Sequence, residues 1–358
     1  MYKISWWRVN FGDNEIGKIS ESVKRECFSQ GPVTEEFERG VSAMLNVPYV
    51  AATTSGSMAL LMSLMAAGIG PGDKVIVPNR TWIASAHAVL MAGAEVTFID
   101  VETERPVMDV TQLEKIIQPA TKAIMPVHMN GRAVNMKEIN TIADKHGLIV
   151  IEDAAQAFCS KHNNVSLGTE SFAGCFSMSM GKLLSTGQGG FVVTKDTDTY
   201  NKLRMLRTHG LNDIINVKYT SRGFNFKFTD IAASIGVVGL EHMPGRIERV
   251  KAIYKKYETA LSEFPFLKLI PVDTEHGELP IYVEVLCAER DKLIKFLADR
   301  GIQARPTHPN LNTAAYFKDN NIYPNSELFA QQELVLPCGP DQPMENVERL
   351  IEALKDYS

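Results

Sequence analysis

Between Tyr49 and Asp153 the chain alternates strand and helix almost without interruption, and that alternation restricts the fold more than any other feature. Tyr49-Val-Ala-Ala-Thr53 reads as a strand and Ser57–Ala67 as a helix closed by Gly68. Lys74–Pro78, Glu95–Asp100, Thr121–His128 and Leu148–Asp153 read as further strands. Helices are expected between them at Ile83–Ala92, from Thr111 to Gln118, and at Met136–His146 before Gly147. Thr111-Gln-Leu-Glu114 has the form of a capping box. Continuous apolar strands separated by single helices make βαβ units, hence a mostly parallel sheet covered on both faces. Such sheets bind ligands beyond the carboxyl ends of their strands. Chemistry is therefore sought in the residues after each strand: Thr54-Ser-Gly-Ser57, Asn79-Arg-Thr-Trp82, Met129-Asn-Gly-Arg132 and Asp153-Ala-Ala-Gln156.

On the amino-terminal side, Asp13–Gln30 reads as a helix ending at Gly31-Pro32. Thr34 reads as the N-cap of a second helix reaching Leu45, with Glu35 and Glu36 in its first turn. Beyond Asp153, strands are expected at Cys175–Met178 and Phe191–Thr194, and a helix at Thr197–His209. A polar stretch to Arg222 precedes Gly223-Phe-Asn-Phe-Lys-Phe-Thr-Asp230, and a long helical region follows. It is expected to break near Pro244-Gly245 and resume to about Phe264. Strands at Pro280–Leu286 and Gln303–Pro306 flank a helix at Arg290–Arg300, and a helix from Met344 to Tyr357 closes the chain. The fold class is α/β: a large domain over residues 1–244, with a mostly parallel sheet between helices, and a smaller C-terminal α+β domain over 245–358.

Composition excludes several functions. A net charge of −5 without any basic block recommends neither nucleic acid nor an anionic membrane as partner. The five cysteines are widely spaced with no CxxC, as in reduced, cytoplasmic proteins, and the eight histidines show no metal-ligand spacing. No uninterrupted apolar run reaches membrane-spanning length, and Met1-Tyr-Lys-Ile-Ser-Trp-Trp7 is unlike a signal peptide.

One loop stands out. Phe176-Ser-Met-Ser-Met-Gly-Lys182 leaves a strand end, and a Gly-rich turn, Thr186-Gly-Gln-Gly-Gly190, leads into the next strand. A P-loop is excluded by spacing: six residues separate Gly174 from Gly181-Lys182, and Leu183 stands where a magnesium-binding hydroxyl is needed. A lysine amine can instead attack a carbonyl and form a Schiff base, the tether of pyridoxal 5'-phosphate (PLP). By itself it is an ordinary loop lysine, so its neighbours decide. Ser55-Gly-Ser57, opening a helix, suits a phosphate. Trp82 could offer an aromatic face, although a lone Trp usually fills a core. Asp153 ends an apolar strand, where a charge is costly unless paired; a pyridinium would pair it, and so would a helix cap.

These motifs resemble those of the DegT/StrS-type nucleotide-sugar aminotransferases, PLP enzymes of the aspartate-aminotransferase fold (fold type I). The likeness runs from about Gly31 onward through Thr54-Ser-Gly-Ser-Met-Ala-Leu60, Gly68-Ile-Gly-Pro-Gly-Asp73, Thr81-Trp-Ile-Ala-Ser85, Glu152-Asp-Ala-Ala-Gln156, Ser166-Leu-Gly168, Phe176-Ser177 with Lys182, Thr186–Gly190 and Gly223–Asp230. The resemblance implies that Lys182 is the Schiff-base lysine and Asp153 the partner of the pyridine nitrogen. Gln156 would lie beside the ring oxygen and Trp82 against the ring. Ser57, the backbone at Met58, and Ser177 would hold the phosphate. Asn225 would reach the cofactor of a neighbouring subunit, implying a homodimer with shared sites. The reaction implied is transfer of an amino group, from a donor such as glutamate, to a nucleotide-linked keto sugar. Three departures stand out: Phe158 where His is common, Gln188 where Glu is usual, and the small lead-in Ser179-Met-Gly181.

Two other classes remain at this point. A PLP-dependent lyase or dehydratase is one, although dehydratase relatives carry His where Lys182 stands and a desulfurase needs a reactive cysteine, with Cys159 and Cys175 nearest. A non-catalytic PLP-binding regulatory protein is the other. Arg80, Asn130, Arg132, Arg222 and His308 are positioned to face a substrate, and any of the arginines could grip a diphosphate.

Overall fold

The computed structural model describes residues 2–211, 215–219 and 221–357. Two helices, α1 (Asp13–Lys24) and α2 (Pro32–Leu45), lead into the alternating region. There the strands are β1 (Tyr49–Thr53), β2 (Lys74–Pro78), β3 (Glu95–Ile99), β4 (Thr121–Ile124) and β5 (Ile149–Asp153). The helices between them are α3 (Gly56–Ala66), α4 (Ala84–Met91), the short α5 (Leu113–Ile116) and α6 (Met136–His146). A small hairpin, β6 (Lys161–His162) and β7 (Val165–Ser166), precedes β8 (Ala173–Ser177), β9 (Gly190–Thr194) and α7 (Thr197–Arg207).

These strands form a seven-stranded sheet in the order β1-β9-β8-β5-β4-β2-β3. The pairs from β8 to β3 are parallel, while β9 runs antiparallel to both β1 and β8. Because β9 is reversed, β1 and β8 point the same way, and the carboxyl ends of β1, β2, β4, β5 and β8 share one edge. The apolar runs bury both faces. Ala51, Val75, Ile151 and Cys175 face the core under α3 and α4, whereas Val50, Phe176 and Phe191 face a second core that α2 covers.

The long helix α8 (Asp230–Leu261) runs unbroken through Pro244, contrary to the expected interruption. A proline removes one backbone donor. Here the buried residues Leu240, Met243, Val250, Ile253 and Tyr257 continue the helical stripe on both sides of it, and packing outweighs that loss. After α8 come β10 (Lys268–Leu269), β11 (Val283–Leu286), α9 (Arg290–Asp299), β12 (Arg305–Pro306), α10 (Pro324–Gln332), β13 (Glu333–Leu336) and α11 (Met344–Lys355). Their strands make a second sheet, β10-β11-β13-β12, antiparallel throughout. Residues near the start of the chain join this sheet's side of the molecule: Ile4 bridges Ile302 and Trp7 bridges Cys338.

Helix ends differ from expectation in three places. α1 stops at Lys24, and Glu26 turns the chain at φ 58°. α2 begins at Pro32, with Gly31 as its N-cap; Thr34 lies inside the first turn. Its free amides are met from far away, because the Asp230 carboxylate accepts from the amides of Gly31 (2.9 Å), Val33 (3.3 Å) and Thr34 (2.9 Å) and from the Thr34 hydroxyl (2.7 Å). Before α5 the cap is Asp109, whose Oδ1 accepts from the Thr111 amide at 3.1 Å. Among the described residues, no helix is long and apolar enough to cross a membrane.

Candidate active site

A cavity of about 420 Å³ opens at the shared edge, bounded by strand ends of the large sheet and by β11, β12 and β13 of the small one. After β1, Ser55 adopts extended backbone and caps α3, its Oγ accepting from the Met58 amide at 3.2 Å. Ser57 and Ser177 line the cavity beside it. Glycine is required where these turns touch: a Cβ on Gly56 would lie 2.7 Å from the Ser177 Cβ, and one on Gly190 would lie 2.4 Å from the Ser55 carbonyl carbon. The result is a shallow cradle with a helix N-terminus at its base, which favours an anion.

Asp153 closes β5 and is 4% exposed. Its Oδ2 accepts from the Ser85 hydroxyl at 2.7 Å and its Oδ1 from the Ala155 amide at 3.1 Å. Burial raises its pKa, and the bonds from Ser85 and Ala155 and the charge of Lys182 resist that rise. A pyridinium above it would add the full counter-charge that these dipoles lack. Lys182 lines the same cavity, and burial pulls its pKa down to about 8, with Asp153 pulling the other way. An amine so placed is neutral far more often than a solvated lysine.

The neighbouring Glu152 has a different task. Fully buried, it accepts from the amides of Gly168 and Glu170, the Ser171 hydroxyl and His128 Nε2, all at 2.8 Å. His128 Nδ1 accepts from the Val134 amide, so Nε2 carries the proton. Burial works against ionisation of Glu152, but these donors prevail and its pKa is lowered. It anchors the loop after β7 against β5.

Gln156 lines the cavity with its Oε1 accepting from the Asn130 amide at 3.1 Å. Trp82 also lines it and is 61% exposed, its ring centroid 6.3 Å from that of His308. Asn225 is exposed and pairs with Thr208 away from this cavity. Phe158, where His is common, is buried against Phe176 and Phe191 rather than facing ligand.

The expectation that Arg80 and Arg132 could grip a diphosphate is corrected by their partners. Arg80 is 1% exposed, donating to Glu333 at 2.5 Å and to the His308 carbonyl at 2.7 Å. Arg132 is fully buried, donating to Glu284 at 2.5 Å and to the Pro271 carbonyl at 2.9 Å. Both join the large sheet to the small one. Gly131 makes that join possible, since a Cβ there would lie 2.1 Å from the Leu279 carbonyl oxygen. Arg222 is exposed, whereas Asn130 and His308 line the cavity.

Several residues of the site lay outside the strand-end reading. Trp7 Nε1 donates to the Met180 carbonyl at 2.9 Å and the Tyr282 hydroxyl to the Gly181 carbonyl at 2.5 Å, clamping the peptide just before Lys182. Trp6 and Arg305 line the cavity, the guanidinium 3.5 Å above the Trp6 ring. The Trp6-Trp7 pair was the one local signal. Neither nearby cysteine offers a thiolate, because burial pushes Cys159 up to about 12 and Cys175 higher still.

The sequence model of the DegT/DnrJ/EryC1/StrS aminotransferase family matches residues 10–355. The chain is 33% identical over 354 residues to dTDP-3-amino-3,4,6-trideoxy-alpha-D-glucose transaminase of Streptomyces venezuelae, covering 97% of this chain and 92% of that protein. It is 35% identical over 304 residues to GDP-perosamine synthase of Caulobacter vibrioides, covering 83% and 82%. The crystal structure of S. venezuelae DesV superposes with a TM-score of 0.92 at 31% identity, covering 96% of this chain and 94% of that one.

Proposed function

The chain belongs to the DegT/DnrJ/EryC1/StrS aminotransferase family, and from that premise we propose that it is a PLP-dependent transaminase placing an amino group on a keto sugar carried by a nucleotide. The observation that carries the reading is the meeting of Lys182 and Asp153 in one cavity, an amine drawn down to about 8 facing a buried carboxylate across the sheet edge. The residues present fit the cofactor. Ser57, the backbone at Met58 and Ser177 would hold the phosphate at the turn that the glycines keep open; Asp153 would pair with the pyridine nitrogen, Gln156 would lie beside the ring oxygen and Trp82 would cover the ring face. Bound there, PLP supplies an electron sink for the carbon that loses its proton.

The protein's own groups do the rest. Lys182 Nζ would tether the cofactor, and it is the base placed to move the proton at the donor's α carbon. Asp153 would keep the ring nitrogen protonated, and Ser85 and the Ala155 amide hold Asp153 in place. Glutamate is the proposed donor. Asn225, which does not line its own cavity, is assigned to the phosphate of a second subunit in a homodimer, and the enzyme is assigned to the cytoplasm. Borohydride reduction of the coloured enzyme followed by peptide mapping tests the reading. The label is expected on Lys182; label on another lysine would falsify it. Screening nucleotide-linked keto sugars against the aminated enzyme then identifies the acceptor.

A further inference from the structure

We propose that Arg305, held over the ring of Trp6, is the seat for the carboxylate of the amino donor. That the carboxylate belongs to an amino donor rests on the transaminase reading; that Arg305 seats a carboxylate does not.

Arg305 opens β12 and lines the cavity together with Trp6, Tyr282 and Lys182. Its guanidinium carbon lies 3.5 Å from the centre of the Trp6 ring, a cation–π contact. A guanidinium carries its N–H donors in its own plane, so a ring on one face leaves the fork free for an oxyanion. Among the described residues that fork has no hydrogen-bond partner and no carboxylate beside it. The side chain is exposed, open to whatever enters the cavity. The two arginines that join the sheets differ in both respects. Arg80 is paired with Glu333 and Arg132 with Glu284, and all four side chains are buried.

The charged side chains among the described residues lining the cavity are Asp153, Lys182, Glu284 and Arg305; burial pulls His308 down to about 4, so its ring is neutral. Asp153 would pair with the pyridine nitrogen, and Lys182 would be the tether. Glu284 answers Arg132. The cofactor's phosphate has its own seat at the start of α3, so the charge of Arg305 is the one left unmatched. His308, three residues further on, has its Nε2 buried without a partner, a second polar atom on this wall left for a ligand. Trp6 also fixes where the anion lies. It packs edge-on against Tyr282 with ring centroids 5.6 Å apart, and Tyr282 donates to the carbonyl of Gly181, the residue before Lys182. A Cβ on Gly181 would lie 3.1 Å from that hydroxyl and 3.8 Å from the Trp6 ring. Arg305 therefore stands on the lysine side of the cavity. An amino donor carries its carboxylate on the carbon from which Lys182 would move the proton. The diphosphate of a nucleotide-linked sugar is separated from its carbonyl by ring carbons, so the carboxylate is the anion that fits beside the lysine.

Calorimetric titration of the PLP-loaded enzyme with maleate, a dicarboxylate without an amine, reads the seat without turnover. Arg305→Gln should weaken maleate binding about 10- to 100-fold while leaving UDP binding and cofactor retention unchanged. Arg305→Lys, which keeps the charge but not the fork, should fall between the two and serves if the glutamine variant does not fold. Trp6 is a positioning residue: Trp6→Leu should weaken maleate about threefold to tenfold, and Trp6→Phe should recover most of that. The donor half-reaction, followed by loss of the cofactor's yellow absorbance, supplies a second readout. Wild type should prefer L-glutamate to isoglutamine, its α-amide, and Arg305→Gln should shrink that preference about 10- to 100-fold, whereas a merely loosened site would slow both alike. No maleate binding in the wild type, or equal binding in Arg305→Gln, overturns the proposal. A loss that falls on UDP assigns Arg305 to the diphosphate, and one that falls on cofactor retention assigns it to the cofactor's phosphate; either overturns it as well. Failure of the transaminase reading would appear instead as borohydride label away from Lys182, and would leave the maleate comparison standing.

Discussion

Asp153 and Lys182 are each displaced from ordinary ionisation by burial, and each displacement has a measurable consequence. Asp153→Asn keeps the shape that accepts from Ser85 at 2.7 Å but removes the charge that holds a pyridine nitrogen protonated. The variant should remain yellow, because tethering and phosphate contacts do not need that charge, while kcat falls at least about 100-fold. Near-normal turnover would make Asp153 a structural cap. For Lys182, burial lowers the pKa to about 8, so at pH 7 about a tenth of the apoenzyme carries a neutral amine, far more than for a solvated lysine. Cofactor reconstitution, followed by absorbance, should therefore accelerate as pH rises from 6 to about 8 and level off above; a rise continuing to pH 10 would refute the lowered pKa. Strand-end position placed Ser57, Asp153, Gln156 and Lys182 in one cavity from sequence alone. Glu284 and Glu333 were not legible in this way, because a carboxylate in an apolar strand reveals nothing of the arginine it meets from another sheet.

The cap of α2 by Asp230 is the clearest case of one element completing another. One carboxylate serves the amides of Gly31, Val33 and Thr34 and the Thr34 hydroxyl. Asp230→Ala would leave these buried donors unpaired and should cost about 2–4 kcal/mol, read as a lowered urea midpoint. Asp230→Asn should recover part of it. The capping requirement was visible in the sequence, but Thr34 was the local candidate, and a partner 196 residues away leaves no trace in spacing. The β-strands of the large sheet were legible because continuous apolar runs admit few alternatives. β10, the hairpin β6–β7 and β13 were not: two are only two residues long per strand, and β13 begins with Glu333 directly after a helix. Pro244 misled for the opposite reason, since a strong local rule gave way to a buried stripe extending along α8.

At the scale of the whole molecule the homodimer is the test. If Asn225 completes the partner's site, Lys182→Ala and Asn225→Ala are each impaired alone, yet mixed and refolded together they form hybrids with one intact site. Activity should return to about a quarter of the wild-type value, the share expected from random pairing of two-fold dimers. No recovery would place Asn225 within its own subunit's affairs. The clamp on the lysine loop has a further consequence, for the order of events during synthesis. Trp7 holds the Met180 carbonyl, yet Trp7 is itself held by the bridge to Cys338, and the Ile4 bridge needs Ile302. The segment around residues 4–7 therefore leaves the ribosome long before Ile302 and Cys338, the backbone partners that fix it, have been made. The sheet that carries Lys182 can form early, domain-wise, as nascent chains do. Its reactive loop is fixed only when the end of the chain arrives, so a growing polypeptide passes through the second half of its synthesis with its lysine in place and its chemistry still unarmed.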